Sequence, residues 1–245
     1  YADRIYQINL AVAGIAIGTI ILPNLSKYVK NKNKTKLNNL QNKSLELSLF
    51  LSLPATFALL IASEEIVSAL FGYGSFNEES VKNSSAALFY FAIGLPAFSM
   101  IKIFSSFVFA QNDTKTPFYF SLISVVINIL ISISLFSNVG FIIIPIATTI
   151  SSYINGFLLM VFVINKNYFG FNNNFFVQIL KILITNIFCM GIFYILISFF
   201  SNLFLFSNNY KFLMIIILVI FTFILYILFS ILIKAFKISD IKLKY

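Results

Sequence analysis

From Ile5 to Leu22 the chain is apolar except at Gln7, Asn9 and Thr19. A bilayer core takes roughly 20 helical residues at 1.5 Å each, so this run reads as a membrane crossing. It opens with Asp3 and Arg4. An arginine at mid-bilayer costs at least ~2.5–3.5 kcal/mol, which drives Arg4 toward an interface or a polar interior. On a regular helix Arg4, Gln7, Ala11, Gly14 and Gly18 recur at spacings of three and four and share one face. That face is polar and small, and the rest of the surface suits lipid. Gly14 and Gly18 form a GxxxG pair, which lets a second helix approach closely.

Composition extends this reading to the whole chain. Hydrophobic residues make up 60% of it and charged residues only 10%, against about 25% charged in a soluble domain. Mean hydropathy is +0.95. Strands of an outer-membrane barrel are about ten residues long and alternate in polarity. The runs here are about twice that and do not alternate, so the expected fold class is all-α, a polytopic membrane helix bundle. There is no His, and Cys189 is the lone cysteine. That excludes HExxH and paired CxxC motifs, His-based triads and an intrachain disulfide. No catalytic or metal-ligating residue is assigned, and the chain is not expected to be an enzyme. The 31 Phe and the abundant Ile, Asn and Lys read as compositional bias.

Seven spans are expected. The first ends at Leu22-Pro23, where proline opposes continuation of the helix. Ser26–Lys43 reads as a lysine-rich loop. The second span is about Leu45–Ala62, and an acidic loop with a helix-starting Asn77 comes next. The remaining spans are about Ala86–Ala110, Phe118–Phe136, Phe141–Ile164, Phe175–Phe200 and Phe212–Ile233. In the last, only Thr222, Tyr226 and Ser230 are polar, which suits lipid contact. Alternating the sides puts Lys27, Lys30, Lys32, Lys34, Lys36, Lys43, Lys115, Lys166, Lys234, Lys237, Lys242 and Lys244 on one side. The other side has Lys82 and Lys211, with four glutamates. By the positive-inside rule the first side and the C-terminus are cytoplasmic, and Arg4 lies toward the outer end of its helix. The net charge of +9 therefore calls for no nucleic-acid partner; the lysines are orientation signals that touch anionic lipid.

Two polar stripes stand inside apolar helices. Ser121, Ser124, Asn128 and Ser132 recur at helical spacing in the fourth span, and Thr148, Ser152 and Asn155 in the fifth. Interhelical hydrogen bonds, worth about 0.6 kcal/mol each, are the plain account of them. A cation site built from their oxygens is the sharper one.

The run YADRIYQ at Tyr1–Gln7, GIAIGTIILPNLS at Gly14–Ser26, GLPAF at Gly94–Phe98, Lys102 and QNDTKTP at Gln111–Pro117 resemble, in order and spacing, the MurJ (MviN-type) lipid II flippases of the MOP exporter superfamily. The likeness runs from Tyr1 to about Ile164; beyond that only hydropathy agrees. Such flippases have fourteen spans in two lobes. The resemblance implies a C-terminal fragment carrying the eighth to fourteenth spans. Residues 1–164 would be five spans of the second lobe, with the first lobe and one span missing. Residues 165–245 would be two additional spans, packed beside the lobe to form a lipid-facing groove, and a basic cytoplasmic tail.

The implied activity is the movement of undecaprenyl-diphosphate-linked peptidoglycan precursor, lipid II, from the inner to the outer leaflet of a bacterial cytoplasmic membrane by alternating access. This is a role in cell-wall biogenesis and cell shape. The implied partners are lipid II or a related polyprenyl-diphosphate glycolipid, and membrane lipids. Arg4 matches the family arginine tied to the substrate's diphosphate, and guanidinium suits phosphate because it binds its oxygens bidentately. Asp3 matches the adjacent aspartate, and Gln7 stands where some relatives have glutamate. Lys102 either lines the cavity or snorkels to the cytoplasmic interface; Arg4 is likewise placed to snorkel outward. No cofactor is implied beyond coupling to sodium or the membrane potential. Asn128, Ser132 and Thr148 are the candidate sodium ligands. Ser132 stands where relatives use a carboxylate, and the seventh span, which adds an acid, is absent. The alternatives are a flippase for another polyprenyl-linked oligosaccharide and a non-transporting membrane scaffold. A polyprenyl-phosphate transferase needs clustered acids for Mg²⁺, whereas the 8 acids here are scattered.

Overall fold

The structure, a computed structural model, describes residues 1–236; Lys237, Lys242 and Lys244 of the expected basic tail lie outside the described residues. The first span is one continuous rod in three pieces: α1 (Ala2–Leu10), a π-helical turn (Ala11–Ala16) and α2 (Ile17–Lys30). Next come α3 (Lys34–Ile61), the short α4 (Ser63–Phe71), α5 (Glu78–Phe109), α6 (Lys115–Val139), α7 (Ile143–Asn165), α8 (Asn173–Phe199) and α9 (Lys211–Leu232). Among the described residues, six segments are long and apolar enough to cross a membrane. One of them, Lys115–Asn165, turns back at Gly140, whose φ of +74° suits glycine. Ser124 pairs with Ser151 and Asn128 with Thr148, so α6 and α7 run antiparallel and cross separately. The all-helical bundle and the expected spans are thus present.

Two expectations about the first loop are corrected. The helix does not stop at Pro23 but runs through it to Lys30. Pro23 removes a single backbone donor at an exposed position, and a long rod held by packing on both sides of the break tolerates that. The lysine-rich segment is helix rather than loop, reduced to a turn at residues 31–33. Lysine is a good helix former, and Asn33 caps α3 by accepting a hydrogen bond from the Lys36 amide (3.1 Å). The acidic loop also contains a helix, α4, whose first turn carries Glu64 and Glu65, the sign the helix dipole favours there. Asn77 caps α5 as expected, accepting from the Ser80 amide at 2.8 Å. In the α5–α6 turn Asp113 accepts from the Lys115 and Thr116 amides and the Thr116 hydroxyl. Those bonds, that of the Thr116 hydroxyl above all, hold its carboxyl below the ordinary aspartate value.

The GxxxG pair does what its spacing suggests. A Cβ at Gly14 would lie 3.2 Å from Ser99 Cα, and one at Gly18 3.0 Å from Ser106 Oγ. The first span therefore rests directly on α5, and Ser106 Oγ donates to the Gly18 carbonyl at 3.3 Å. Higher in the same seam Tyr6 stacks on Phe91 and Phe98, with centroids 4.7 and 5.4 Å apart.

Loop contacts fix which connections share an end of the bundle. Asn38, Asn39, Gln41 and Asn42 of α3 form a set of amide bonds with residues 168–172 of the α7–α8 loop. Phe169 of that loop packs on Phe104 and Phe107 near the end of α5, and Gln178 donates to the Lys234 carbonyl. These lysine-bearing connections are therefore at one end. At the other end, Tyr1 packs on Phe71 and Phe76. There too, Lys211 reaches back to Gly72.

The last helices lean on one flank. α8 lies against α3, and α9 against α8 and α4. Most of α9 is exposed, including Leu213, Ile217, Ile220, Ile224, Leu228 and Leu232. Two of its polar residues, Tyr226 and Ser230, are turned away from that lipid-suited surface and buried. Tyr226 Oη donates to the Phe50 carbonyl (2.9 Å) and accepts from Asn186 (3.4 Å), because a hydroxyl in hydrocarbon needs a partner.

Candidate functional site

The surface that carries Arg4 is set by the π-helical turn. A π-turn takes more residues per turn than an α-helix, so it rotates the side chains on its far side relative to those before it. Arg4, Gln7 and Ala11 precede or open the turn and are exposed; Gly14 and Gly18 lie within or after it and are buried against α5. The single face expected for all five residues is thus split into an open half and a packing half. The turn is held from α3, where Ser48 Oγ donates to the Ala13 carbonyl at 2.7 Å. No hydropathy pattern marks this change of register.

On the open half, Gln7 donates to the Asp3 carboxylate one turn away. Asp3 is therefore engaged by Gln7 rather than by its neighbour Arg4, since adjacent residues on a helix do not face each other. Among the described residues the Arg4 guanidinium has no hydrogen-bond or ion-pair partner, and it is exposed. Its five donors are available to a ligand. Lys102 is also exposed, but it is not beside Arg4. Its Cγ lies 3.4 Å from where a Gly14 Cβ would be, and ten residues of helix separate Gly14 from Arg4, roughly 15 Å. The two cations thus stand at different depths along the first span.

Next to this face is an apolar hollow of about 260 Å³ between the first span, α3, α8 and α9. Asn9, Val12, Pro54, Cys189, Phe193 and Thr222 are among its walls. It lies where the last two helices lean on α3, and its shape and lining suit a hydrocarbon chain.

Two of the candidate cation ligands, Asn128 and Thr148, meet in the α6–α7 seam. Asn128 donates to Thr148 Oγ1 (3.0 Å), Thr148 Oγ1 donates to the Ile144 carbonyl (2.8 Å), and Ser124 donates to the Ser151 carbonyl (2.8 Å). These groups largely satisfy each other. Ser132 Oγ is buried and has no hydrogen-bond partner among the described residues, and neither α6 nor α7 contains an acid.

Sequence reasoning counted Lys211 only as an outer-side charge. It is 1% exposed, and its Nζ donates to the carbonyls of Gly72 and Phe206 at 2.8 Å each. It also lies 4.5 Å from the ring centroids of Tyr73 and Phe206. The cation clasps the start of α9 to the end of α4. Replacing Lys211 with Met keeps the stem and leaves both carbonyls without a donor, at about 1–3 kcal/mol each. The expected result is a lower melting temperature in detergent and faster amide exchange over residues 206–212. Unchanged exchange there would show that Lys211 is not a clasp. The aromatic residues Tyr73 and Phe206 were the available signal, but their nearness to Lys211 is a long-range fact.

The family model for the lipid II flippase MurJ matches residues 1–219. A probable lipid II flippase MurJ of Rhizobium meliloti (strain 1021) is 41% identical over 170 residues, covering 69% of this chain and 32% of that protein. The corresponding protein of Rickettsia prowazekii (strain Madrid E) is 37% identical over 155 residues, 63% of this chain and 31% of its own. A solved lipid II flippase MurJ in an inward closed conformation superimposes with a TM-score of 0.76 at 25% identity. The match covers 96% of this chain and 46% of that one. The chain thus spans about a third of the length of the curated relatives it matches.

Proposed function

We propose that this chain, which belongs to the lipid II flippase MurJ family, forms part of a transporter that carries lipid II across the bacterial cytoplasmic membrane by alternating access. The observation that carries this reading is the unpaired, exposed guanidinium of Arg4 on a membrane-spanning helix. Such a charge is costly in lipid and is retained where it meets an anion. A diphosphate is the anion the geometry fits, because its oxygens accept two parallel N–H bonds from a guanidinium. Asp3, held by Gln7, sits beside Arg4 without neutralising it. Lys102, nearer the lysine-rich end, is a second cation for the same headgroup at another stage of its passage. The apolar hollow beside α8 and α9 takes part of the polyprenyl chain. Residues 165–236 then act as a flank that shelters the lipid tail, and residues 1–164 as the lobe that handles the headgroup. No bond is made or broken in this cycle, so the chain acts as a transporter rather than an enzyme.

For coupling we propose the membrane potential, or sodium held by oxygens of Asn128, Ser132 and Thr148. The unpartnered Ser132 Oγ supports an oxygen ligand there. The negative charge a hard cation favours would have to come from outside α6 and α7.

The lysine-rich end is assigned to the cytoplasm by its charge. The test has two arms. Full-length protein containing this chain is expected to restore growth to a strain depleted of its own lipid II flippase. In the same protein, a cysteine at Asn33 should be blocked from an impermeant external reagent and one at Ser80 labelled. Failure to restore growth at matched membrane levels overturns the transport reading; the reverse labelling overturns the orientation.

A further inference from the structure

The buried positions Ile5, Ala13, Ile17, Ile21 and Leu25 of the first span recur at multiples of four. Both halves of the rod, α1 and α2, pack on α3 and α5. A regular helix does not keep such positions on one side: at 3.6 residues per turn, Ile21 would stand roughly 160° around the axis from Ile5. The π-helical turn at Ala11–Ala16 closes its bonds five residues on instead of four, and so takes in one residue more. One residue of α-helix is a rotation of roughly 100°, so the turn brings Ile5 and Ile21 to within roughly 60° of each other. The wide turn is thus the register that seats Ile5 and Tyr6 while Gly14 and Gly18 press on α5.

With Gly14 and Gly18 held on α5, a regular helix would move each residue of α1 into the place of the one before it. Ile5 would take the place of Arg4, and Arg4 that of Asp3. Gln7 would take that of Tyr6, which stacks on Phe91 and Phe98. An apolar side chain would then occupy the open position from which the guanidinium reaches a ligand.

One side chain outside the span bears on this choice. Ser44, Ser48, Ser52 and Thr56 form a buried stripe at spacings of four on α3. Ser44 and Thr56 donate to carbonyls of their own helix. Ser48 donates instead across to the Ala13 carbonyl, at 2.7 Å, and is fully buried. That carbonyl lies inside the turn, in an apolar interior where a backbone acceptor needs a donor. We infer that Ser48 is a positioning residue for Arg4: its hydrogen bond holds the wide turn, and the wide turn aims the guanidinium at the open face. This rests on Arg4 as the headgroup ligand proposed above; Ser48 itself touches no substrate.

Nitroxide labels at Gln7 or Asn9 read the register, in full-length protein containing this chain, with native cysteines removed, in lipid nanodiscs. Gln7 is exposed and Asn9 half-buried. In Ser48→Ala the Gln7 label should lose mobility as it moves toward the place of Tyr6. The Asn9 label should gain mobility as it moves toward the place of the exposed Ile8. Rescue of a flippase-depleted strain by Ser48→Ala should fall. Deleting Val12, an exposed residue of the turn, removes the extra residue and leaves both halves in register. Alone, the deletion should leave both labels as in the parent; combined with Ser48→Ala, it should restore the labels and growth. A serine that only fills its pocket predicts labels unmoved by Ser48→Ala and no rescue by shortening. Labels unmoved by Ser48→Ala, or moved by the Val12 deletion alone, overturn the inference. The deletion on its own decides the matter where Ser48→Ala fails to fold. Labels that shift as expected while growth stays normal support the hold of Ser48 on the turn and count against Arg4 as headgroup ligand, so the two failures are told apart.

Discussion

Replacing Arg4 with Ala is expected to abolish rescue of a flippase-depleted strain by the full-length protein, while leaving its membrane insertion intact. The substitution removes a charged donor worth ~1.5–3 kcal/mol to a bound anion. It leaves the helix seated, because the contacts that fix the first span lie elsewhere. Ala2 and Ile5 are buried, Tyr6 stacks on Phe91 and Phe98, and Gly14 and Gly18 press on α5. Arg4→Lys keeps the charge but loses the planar fork, so partial rescue is expected. An arginine that merely snorkels to the outer headgroups predicts a different pattern: Ala would be tolerated, since only an interfacial anchor is lost. Normal growth of the Ala variant at matched expression would therefore remove Arg4 from the mechanism.

How far this site could be read from sequence depends on the range of the interaction that makes it. The spans were legible because a bilayer imposes one demand, a long apolar run, and local composition reports it. Helix ends were not. Pro23 and the lysines after it look like a stop, but the helix continues where water can solvate it and Asn33 caps the next one. The position of Arg4 on an open face was legible from its charge. The turning of Gly14 and Gly18 away from that face was not, since the π-turn is held by Ser48 of another helix. Distance in sequence hid the asparagines too. Asn38 and Asn42 look like compositional bias until the 168–172 loop folds onto them, and Tyr226 looks lipid-facing until Phe50 offers a carbonyl.

Two glycines that are alike to a hydropathy scale should differ sharply when enlarged. Gly94 is in the middle of α5, in the GLPAF segment. A Cβ there would lie 2.8 Å from Phe98 Cζ and 2.9 Å from Thr149 Oγ1, inside the closest approach of such atoms. Neither neighbour yields freely. Thr149 Oγ1 donates to the Tyr90 carbonyl at 2.7 Å, one of the bonds that join α7 to α5, and the Phe98 ring stacks on Tyr6 of the first span. Gly94→Leu must therefore part α5 from α7 or displace Phe98 from the helix that carries Arg4. Over-packing of this kind costs ~1–3 kcal/mol and sometimes more. A Cβ at Gly191 in α8 would meet nothing within 4 Å and the position is exposed, so the effect of the same change there should stay within about 0.5 kcal/mol. In detergent melts of the full-length protein, Gly94→Leu should be clearly destabilised and should rescue growth poorly, while Gly191→Leu should match the parent in both. Equal tolerance of the two would mean that α5 and α7 are not in the close contact described here. The coupling of that seam, through Phe98 and Tyr6, to the setting of Arg4 would then fail with it.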